Sequence, residues 1–421
     1  KNAKKAGKID IDFAANLTVY EKKNVDYADN FYMTPEQQVD AEANFWDYYF
    51  FHNDGEVTDP LKNAEQAISQ GTQMVTPIQY AYYQRALGNI TDEELQSQLA
   101  SLKKNNYAKD YANAVYKQRV MQQYNLSLRG RSDKFTNNLT LNYKYDNCGL
   151  INHFANQFNA QYKGSYNVAK WLTASMTING IYSKSKEAGY DYNGSYANIW
   201  AQPAYMPFYN ADGSVKGQHY WFDGDDYLTF DSPFEDLSSN PVDEYYKNTQ
   251  VSRRQYMRYH GDLLFKIIDG LTANAQFVYE TNHNTTEWLA TQDSHVMRTM
   301  RNAYYYQAAD GTIKNYVPTT GGMLRTTNIC HRAEVVPKTD SKTFGKHDIM
   351  AIAGLEFRET KQTGSKALML GYDDQLQTSS THTIDFSTLS TMTYAPYFFG
   401  AAGGYPASQF VFNPYIKEGM G

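Results

Sequence analysis

Lys8–Tyr20 reads KIDIDFAANLTVY. Ile9, Ile11, Phe13, Ala15, Leu17 and Val19 fall on one face, and Asp10, Asp12, Ala14, Asn16, Thr18 and Tyr20 on the other. A period of two marks a strand with one apolar face. The pattern returns in Gln122–Gly130, Phe135–Tyr145, Ala155–Asn167 and Leu172–Lys184. Ser252–Ile267, Leu271–His283, His331–Thr339 and His347–Thr363 complete the series. Several of these runs are at least twice the about 5–6 residues usual for soluble strands. A strand that crosses a bilayer needs about 9–11 residues. The chain is therefore read as antiparallel all-β.

The connections sharpen this. Short turns, Arg131–Lys134, Val168–Trp171 and Ile268–Gly270, alternate with the long segments Glu21–Met121, Ser185–Val251 and Asn284–Cys330. Asp146–Phe154 is an intermediate exception. Such alternation predicts short turns on one rim and long loops on the other, as in outer-membrane barrels. A large barrel turns its apolar residues to lipid and its Asn, Thr, Ser, Gln and Lys to a wet lumen. Leu139, Leu141, Phe158, Met176, Ile178, Ala273, Ala275 and Phe277 should then lie on one continuous, convex outer face. Tyr20, Tyr143, Tyr145, Tyr162, Tyr166 and Tyr182 fall near strand ends, where an interfacial girdle places aromatic rings. The strand propensity of tyrosine is the competing explanation.

Composition removes other classes. The net charge of −6 argues against nucleic acid. With 42% hydrophobic and 15% aromatic residues the chain is no disordered polymer. No apolar run is long enough for a membrane helix. The basic start KNAKKAGK reads as a solvated flank. Cys148 and Cys330 could form one bridge at most and read better as two unrelated thiols. Two helix starts stand in the first long connection. Thr34-Pro35-Glu36-Gln37 and Thr91-Asp92-Glu93-Glu94 both carry capping-box chemistry, the second ahead of Leu95, Leu99 and Leu102.

Catalytic chemistry finds little support. Asp223, Asp225 and Asp226, and the pair Asp373–Asp374, could serve glycoside hydrolysis, but they read better as polar loop residues. Asn210–Ser214 and Ala309–Thr312 resemble the starts of calcium loops, yet neither is followed by the required Glu, so Asp-Gly turns are expected. No metal, phosphate-loop or dinucleotide motif is present, and no cofactor is expected. The chain is read as a non-enzyme.

QQYNLSLRGRSDK (Gln122–Lys134) followed by TNNLTLNYKYDN (Thr136–Asn147) resembles a hairpin of the SusC/RagA-like TonB-dependent transporters, with Arg131 where a second glycine is usual. Leu172–Lys184, AQPAYMPFYNADGSV (Ala201–Val215) and KTFGKHDIMAIAGLEFRE (Lys342–Glu359, with Gly354, Glu356 and Arg358) match in order. The resemblance covers essentially the whole chain. It implies a 22-stranded barrel in the outer membrane of a Gram-negative, Bacteroidetes-like bacterium. Residues 1–421 would be one partial barrel domain, without the plug and without the C-terminal strands. It further implies energised uptake of oligosaccharides, sometimes peptides, a SusD-like lipoprotein as lid, and coupling to the TonB complex through the plug region. The competing class is a secreted or surface-bound β-rich protein that binds or hydrolyses glycans.

Within the transporter reading, Ser185–Val251 is enriched in aromatic residues over the 15% of the whole chain. Tyr190, Tyr192, Trp200, Tyr220, Trp221 and Tyr227, with Asp223, Asp225 and Asp226, offer ring faces and carboxylates to a sugar. A loop this long must also pack on something, so the same rings could form its own small core. Both roles stay open at this point.

Overall fold

The computed structural model describes residues 7, 9–70, 75–189, 199–200, 202–218, 235–236, 238–269, 271–303, 305–307, 313–315, 317–343, 350–379, 393–394 and 405–406. Its strands are β1 (Ile9–Val19), β2 (Val120–Arg131), β3 (Phe135–Asp146), β4 (Phe154–Ala169), β5 (Leu172–Ala188), β6 (Asn248–Ile268), β7 (Leu271–Ala290), β8 (Tyr305–Gln307), β9 (Ile313–Asn315), β10 (Gly322–Thr343), β11 (Met350–Asp373), β12 (Thr378–Ser379), β13 (Thr393–Tyr394) and β14 (Tyr405–Pro406). One antiparallel sheet runs in the order β1-β2-β3-β4-β5-β6-β7-β10-β11-β12. Nearly every strand therefore pairs with its neighbour in the chain. Among the described residues the sheet does not close on itself: β1 and β12 are its edges.

The register places Arg131↔Thr136, Ala169↔Leu172, Ile268↔Leu271 and Thr343↔Met350 at the end of the sheet where β1 begins, opposite Gly130. The short turns thus share one rim and the long connections leave from the other, as the alternation of lengths predicts. The strands outrun their predicted limits at the long-loop rim. β5 continues to Ala188, β6 starts at Asn248, β7 reaches Ala290, and β10 starts at Gly322. Apolar residues there stand side by side, as Trp288-Leu289 and Met323-Leu324, instead of alternating, so the period of two fades while the ladder continues.

The two faces differ in chemistry. Cross-strand partners share a face, so the ladder Leu128↔Leu139↔Tyr162↔Ile178↔Tyr259↔Tyr279 is one apolar row, and Leu126↔Leu141↔Ala160↔Gly180↔Met257 is the next. All eight residues predicted for the outer surface lie on this face. It is open: Phe13 is 67% exposed, Met176 45% and Phe277 47%. A soluble sandwich would bury these side chains against a second sheet. The opposite face is polar and internally bonded. Asn142 donates to Asn125 Oδ1 at 2.5 Å and Asn159 to Asn142 Oδ1 at 3.0 Å. Gln161 donates to Asn179 at 2.6 Å, and Arg258 pairs with Glu280 at 3.0 Å.

Aromatic rings bound the apolar face. Tyr124↔Tyr143↔Phe158↔Tyr182 form a row toward the long loops. Toward the turns, Phe135 faces Tyr166, and Trp171 stacks on Phe265 at 6.3 Å. Tyr143, Tyr166 and Tyr182 thus sit in the expected girdles. Tyr162 does not: it lies mid-face, opposite Leu139 and Ile178, where strand propensity and packing explain it.

The apolar band also runs diagonally. The level of Leu141 is mid-band in β3, marks the top of the band at Met257 in β6, and is polar at Thr281 in β7. The level of Ala275, mid-band in β7, passes through Leu263, Ala174 and Tyr166 to Phe135 at the bottom of β3. The band slips by six residues over four strand steps, about 5 Å for each roughly 4.8 Å step across the sheet. That slope corresponds to a strand tilt of about 45°, at the upper end of the range for membrane barrels.

Candidate functional site

The long-loop rim carries the helices. Residues 20–119 form α1 (Pro35–Asp47), α2 (Pro60–Gln70), α3 (Pro77–Ala86), α4 (Asp92–Leu102) and α5 (Tyr107–Val115). Both predicted capping boxes form. Gln37 N–H donates to Thr34 Oγ1 and Thr34 N–H to Gln37 Oε1, at 3.3 and 3.0 Å; the Thr91–Glu94 pair does the same at 3.2 and 2.8 Å. Leu95 and Leu99 are buried, as their spacing predicts, against Val39, Ala43, Ile78 and Tyr82.

The second long connection locks into the first. Residues 202–208 pass between α1 and α5. Ala204 N–H donates to Gln38 Oε1 at 2.7 Å, Tyr107 N–H to Ala204 O at 2.9 Å, and Asn105 Nδ2 to Tyr205 O at 2.9 Å. Glu42 accepts from the buried Tyr205 hydroxyl at 2.5 Å, from Trp46 Nε1 at 3.2 Å and from Thr76 Oγ1. Tyr107, Tyr111, Val115, Ile151, Ile199, Phe208 and Tyr245 form a second core that joins three connections. The Tyr111 and Tyr245 hydroxyls meet at 3.0 Å, and burial drives the Tyr111 phenol far above its ordinary range.

A cleft of about 360 Å3 opens between the Val25–Gln38 segment, α5 and the Ile199–Ala204 segment. Tyr32 and Trp200 stack at its mouth, ring centroids 5.3 Å apart and 29° from parallel. Val25, Met33 and Ile199 supply apolar wall; Gln38, Asn106, Lys109 and Gln202 supply polar groups. Lys109 pairs with Asp26 at 3.1 Å, and its N–H is capped by Asn106 Oδ1 at 3.1 Å. A stacked ring pair beside amide side chains can hold the C–H face of a sugar or a planar peptide or aromatic group.

A second polar node links the later connections. Glu244, in the short helix α6 (Glu244–Lys247), is 1% exposed. It accepts the His295 N–H at 2.7 Å at the start of α7 (His295–Ala303), with Arg298 at 3.8 Å. Burial outweighs both contacts and pushes the Glu244 carboxyl up to about 7. Arg298 also donates to Ser238 O at 2.7 Å and to Asp236 O, and Arg301 to Gln292 O at 2.7 Å and to Glu235.

Of the predicted site residues, Trp200 is placed, and it lines the cleft. Tyr190, Tyr192, Tyr220, Trp221, Asp223, Asp225, Asp226 and Tyr227 lie outside the described residues. Within the same connection Tyr205, Phe208 and Tyr245 are core residues, so packing claims part of the aromatic enrichment. Asp373 caps its own turn, accepting from Gln375 and Leu376 N–H at 2.9 Å. Asn210–Ser214 is the expected turn, with Gly213 at φ +84° and its N–H on Asn210 O; residues 309–312 lie outside the described ones. Cys148 and Cys330 are both free thiols. The sequence reading missed Tyr32, Gln38, Asn106 and Lys109. An Asn ahead of Tyr107 and Tyr111, four residues apart, was the available sign of α5.

No family model matches the chain, and no curated protein matches it. Among solved structures it is similar to a chain of the RagAB peptide transporter, with TM-score 0.60 and 16% identity over 92% of this chain and 39% of that one. Chains of the RagAB peptide importer in its closed-closed and open-open states give TM-score 0.59 and 16% identity over 91% and 92% of this chain and 38% of theirs. The chain thus spans about two fifths of the length of the structures it matches. The likeness is one of fold: this sheet is part of a large antiparallel barrel of that kind.

Proposed function

We propose that the chain is the barrel portion of an outer-membrane importer of the SusC/RagA type, energised through TonB and working with a SusD-like surface lipoprotein. One observation carries this: an exposed apolar face, bounded by aromatic rows, on a tilted sheet whose long connections all leave from one rim. Such a face is stable against hydrocarbon and poorly stable against water. The role is transport, not catalysis. The cleft at Tyr32 and Trp200 is a substrate contact at the outer mouth, and Tyr190, Tyr192, Tyr220, Trp221, Asp223, Asp225, Asp226 and Tyr227 of the same connection as Trp200 contribute further contacts. Oligosaccharide is the first substrate class, because stacked rings beside amides suit sugar faces. Peptide is the second, because the similar solved structures are named as peptide importers. The test uses the intact protein in an outer membrane. It should sediment with that membrane and take up labelled oligomers of one class, and Trp200→Ala with Tyr32→Ala should lower uptake of that class. Recovery in the soluble fraction would overturn the membrane reading; unchanged uptake would overturn the cleft's role.

A further inference from the structure

Above the aromatic row the apolar face changes character. The row ends at Tyr182, and the next residue of β5 on that face is Lys184. It stands directly opposite Arg253 of β6. Lys186 follows on the same face, and no bulge interrupts this ladder between Leu172 and Ala188. Like charges at directly opposed positions destabilise a sheet unless an anion offsets them. One carboxylate on this face does so in part: Glu287 of β7 pairs with Arg253 at 2.6 Å. Lys184 instead lies over the Phe154 ring, at 5.8 Å. Among the described residues three cations thus share one carboxylate on this face, one to two pleats beyond the ring that marks the edge of the apolar band.

We propose that Lys184, Lys186 and Arg253 bind the phosphate of an anionic lipid headgroup in the outer leaflet. The inference rests on the membrane reading above. In that reading interfacial aromatic rings mark the headgroup level, and the next pleat toward the long loops, about 7 Å along the strand, lies among the headgroups. Ammonium and guanidinium groups are the donors phosphate oxygens accept from most strongly. An anion there relieves the Lys184–Arg253 opposition that the fold leaves partly unmet, while acyl chains run down over Tyr182 and Ile178. A carboxylate of the protein's own long loops or of a surface partner would be a different occupant.

The intact protein, extracted from outer membranes in mild detergent, is compared with K184Q/K186Q by native mass spectrometry and lipid-phosphate analysis. K184R/K186R serves as the charge-preserving variant, and K134Q/K170Q removes charge at the opposite rim. Each cation near an anionic surface contributes about fivefold in affinity. Retained phosphorylated lipid should therefore fall about 25-fold in K184Q/K186Q and stay at the parental level in the other two. Equal retention in K184Q/K186Q and the parent overturns the proposal, as does equal loss in K134Q/K170Q. Retention of inorganic phosphate without lipid overturns the lipid source. Loss of stability without loss of lipid identifies a carboxylate of the protein as the occupant and overturns it too. Sedimentation is scored first: failure to reach the membrane refutes the membrane reading, whereas normal sedimentation with unchanged lipid refutes this site alone.

Discussion

The diagonal band makes a prediction that a simple alternation of faces does not. Leu141 and Thr281 stand at one ladder level, connected through Ala160, Gly180 and Met257. Four strand steps separate them, roughly 19 Å across the sheet. At a tilt of about 45°, that displaces Thr281 by about 14 Å along the membrane normal, just over half of a band about 25 Å tall. Leu141 is then near the midplane and Thr281 at the interface. Ala275, six residues along β7, returns to the midplane. Arginine at the midplane of a barrel's lipid face costs about 2–4 kcal/mol, and near an interface about 0–1. Leu141→Arg and Ala275→Arg should therefore each destabilise the intact barrel by about 2–4 kcal/mol, with Leu141→Ala subtracted for lost packing. Thr281→Arg should cost no more than about 1. The assay is reversible folding into lipid vesicles under denaturant, read by tyrosine and tryptophan fluorescence. If Thr281→Arg costs as much as Leu141→Arg, depth follows the ladder rather than the slip, and the tilt is wrong. If none of the three matters, the face does not meet lipid.

Glu244 has a carboxyl raised to about 7 by burial, so its contribution is greatest below pH 4.5 and is lost as pH rises through 7. The difference is about 3 kcal/mol, and exchange protection of the 294–298 amides should fall by pH 8 in the parent but not in Glu244→Gln. Glu42→Ala leaves the buried Tyr205 hydroxyl without its acceptor and should cost about 2 kcal/mol, seen as faster proteolysis within residues 20–119. Thr91→Ala should cost about 1 kcal/mol by opening a capping box, with Thr91→Ser close to the parent in the same digestion.

Much of the barrel was legible because lipid imposes a period of two on every strand that crosses it. Legibility ended where lipid ends. Ser185–Ala188, Asn284–Ala290 and Gly322–Cys330 continue the ladder without any alternation to reveal them. Among the helices, α1 and α4 announced themselves through capping boxes. Thr76-Pro77-Ile78-Gln79 carries nearly the same signature, and Thr76 does cap Gln79 N–H at 3.0 Å, so the start of α3 is marked in the sequence as well. The cleft was half legible. Trp200 drew attention as an aromatic residue in a long loop, but its partner Tyr32 comes from a different connection. Their meeting depends on a strap across the rim that no local pattern encodes.

That strap bears on the order of assembly. Ala204 reaches Gln38, and Tyr205 reaches Glu42, across 166 and 163 residues of chain. By contrast, the pairs β2–β3, β4–β5 and β6–β7 close over turns of a few residues. Contacts so distant in sequence form late, because the loop entropy of closing them is offset only once the intervening strands are fixed. The helices of residues 20–119 therefore gain their Tyr205 core contact after β2 to β5 have paired. On the proposed outer-membrane placement the polypeptide of these helices also crosses before it folds, because a folded bundle with a polar surface does not pass through hydrocarbon. The rim is then a lock that turns last: a chain stalled after its hairpins would carry a finished wall and an unfolded, protease-sensitive mouth.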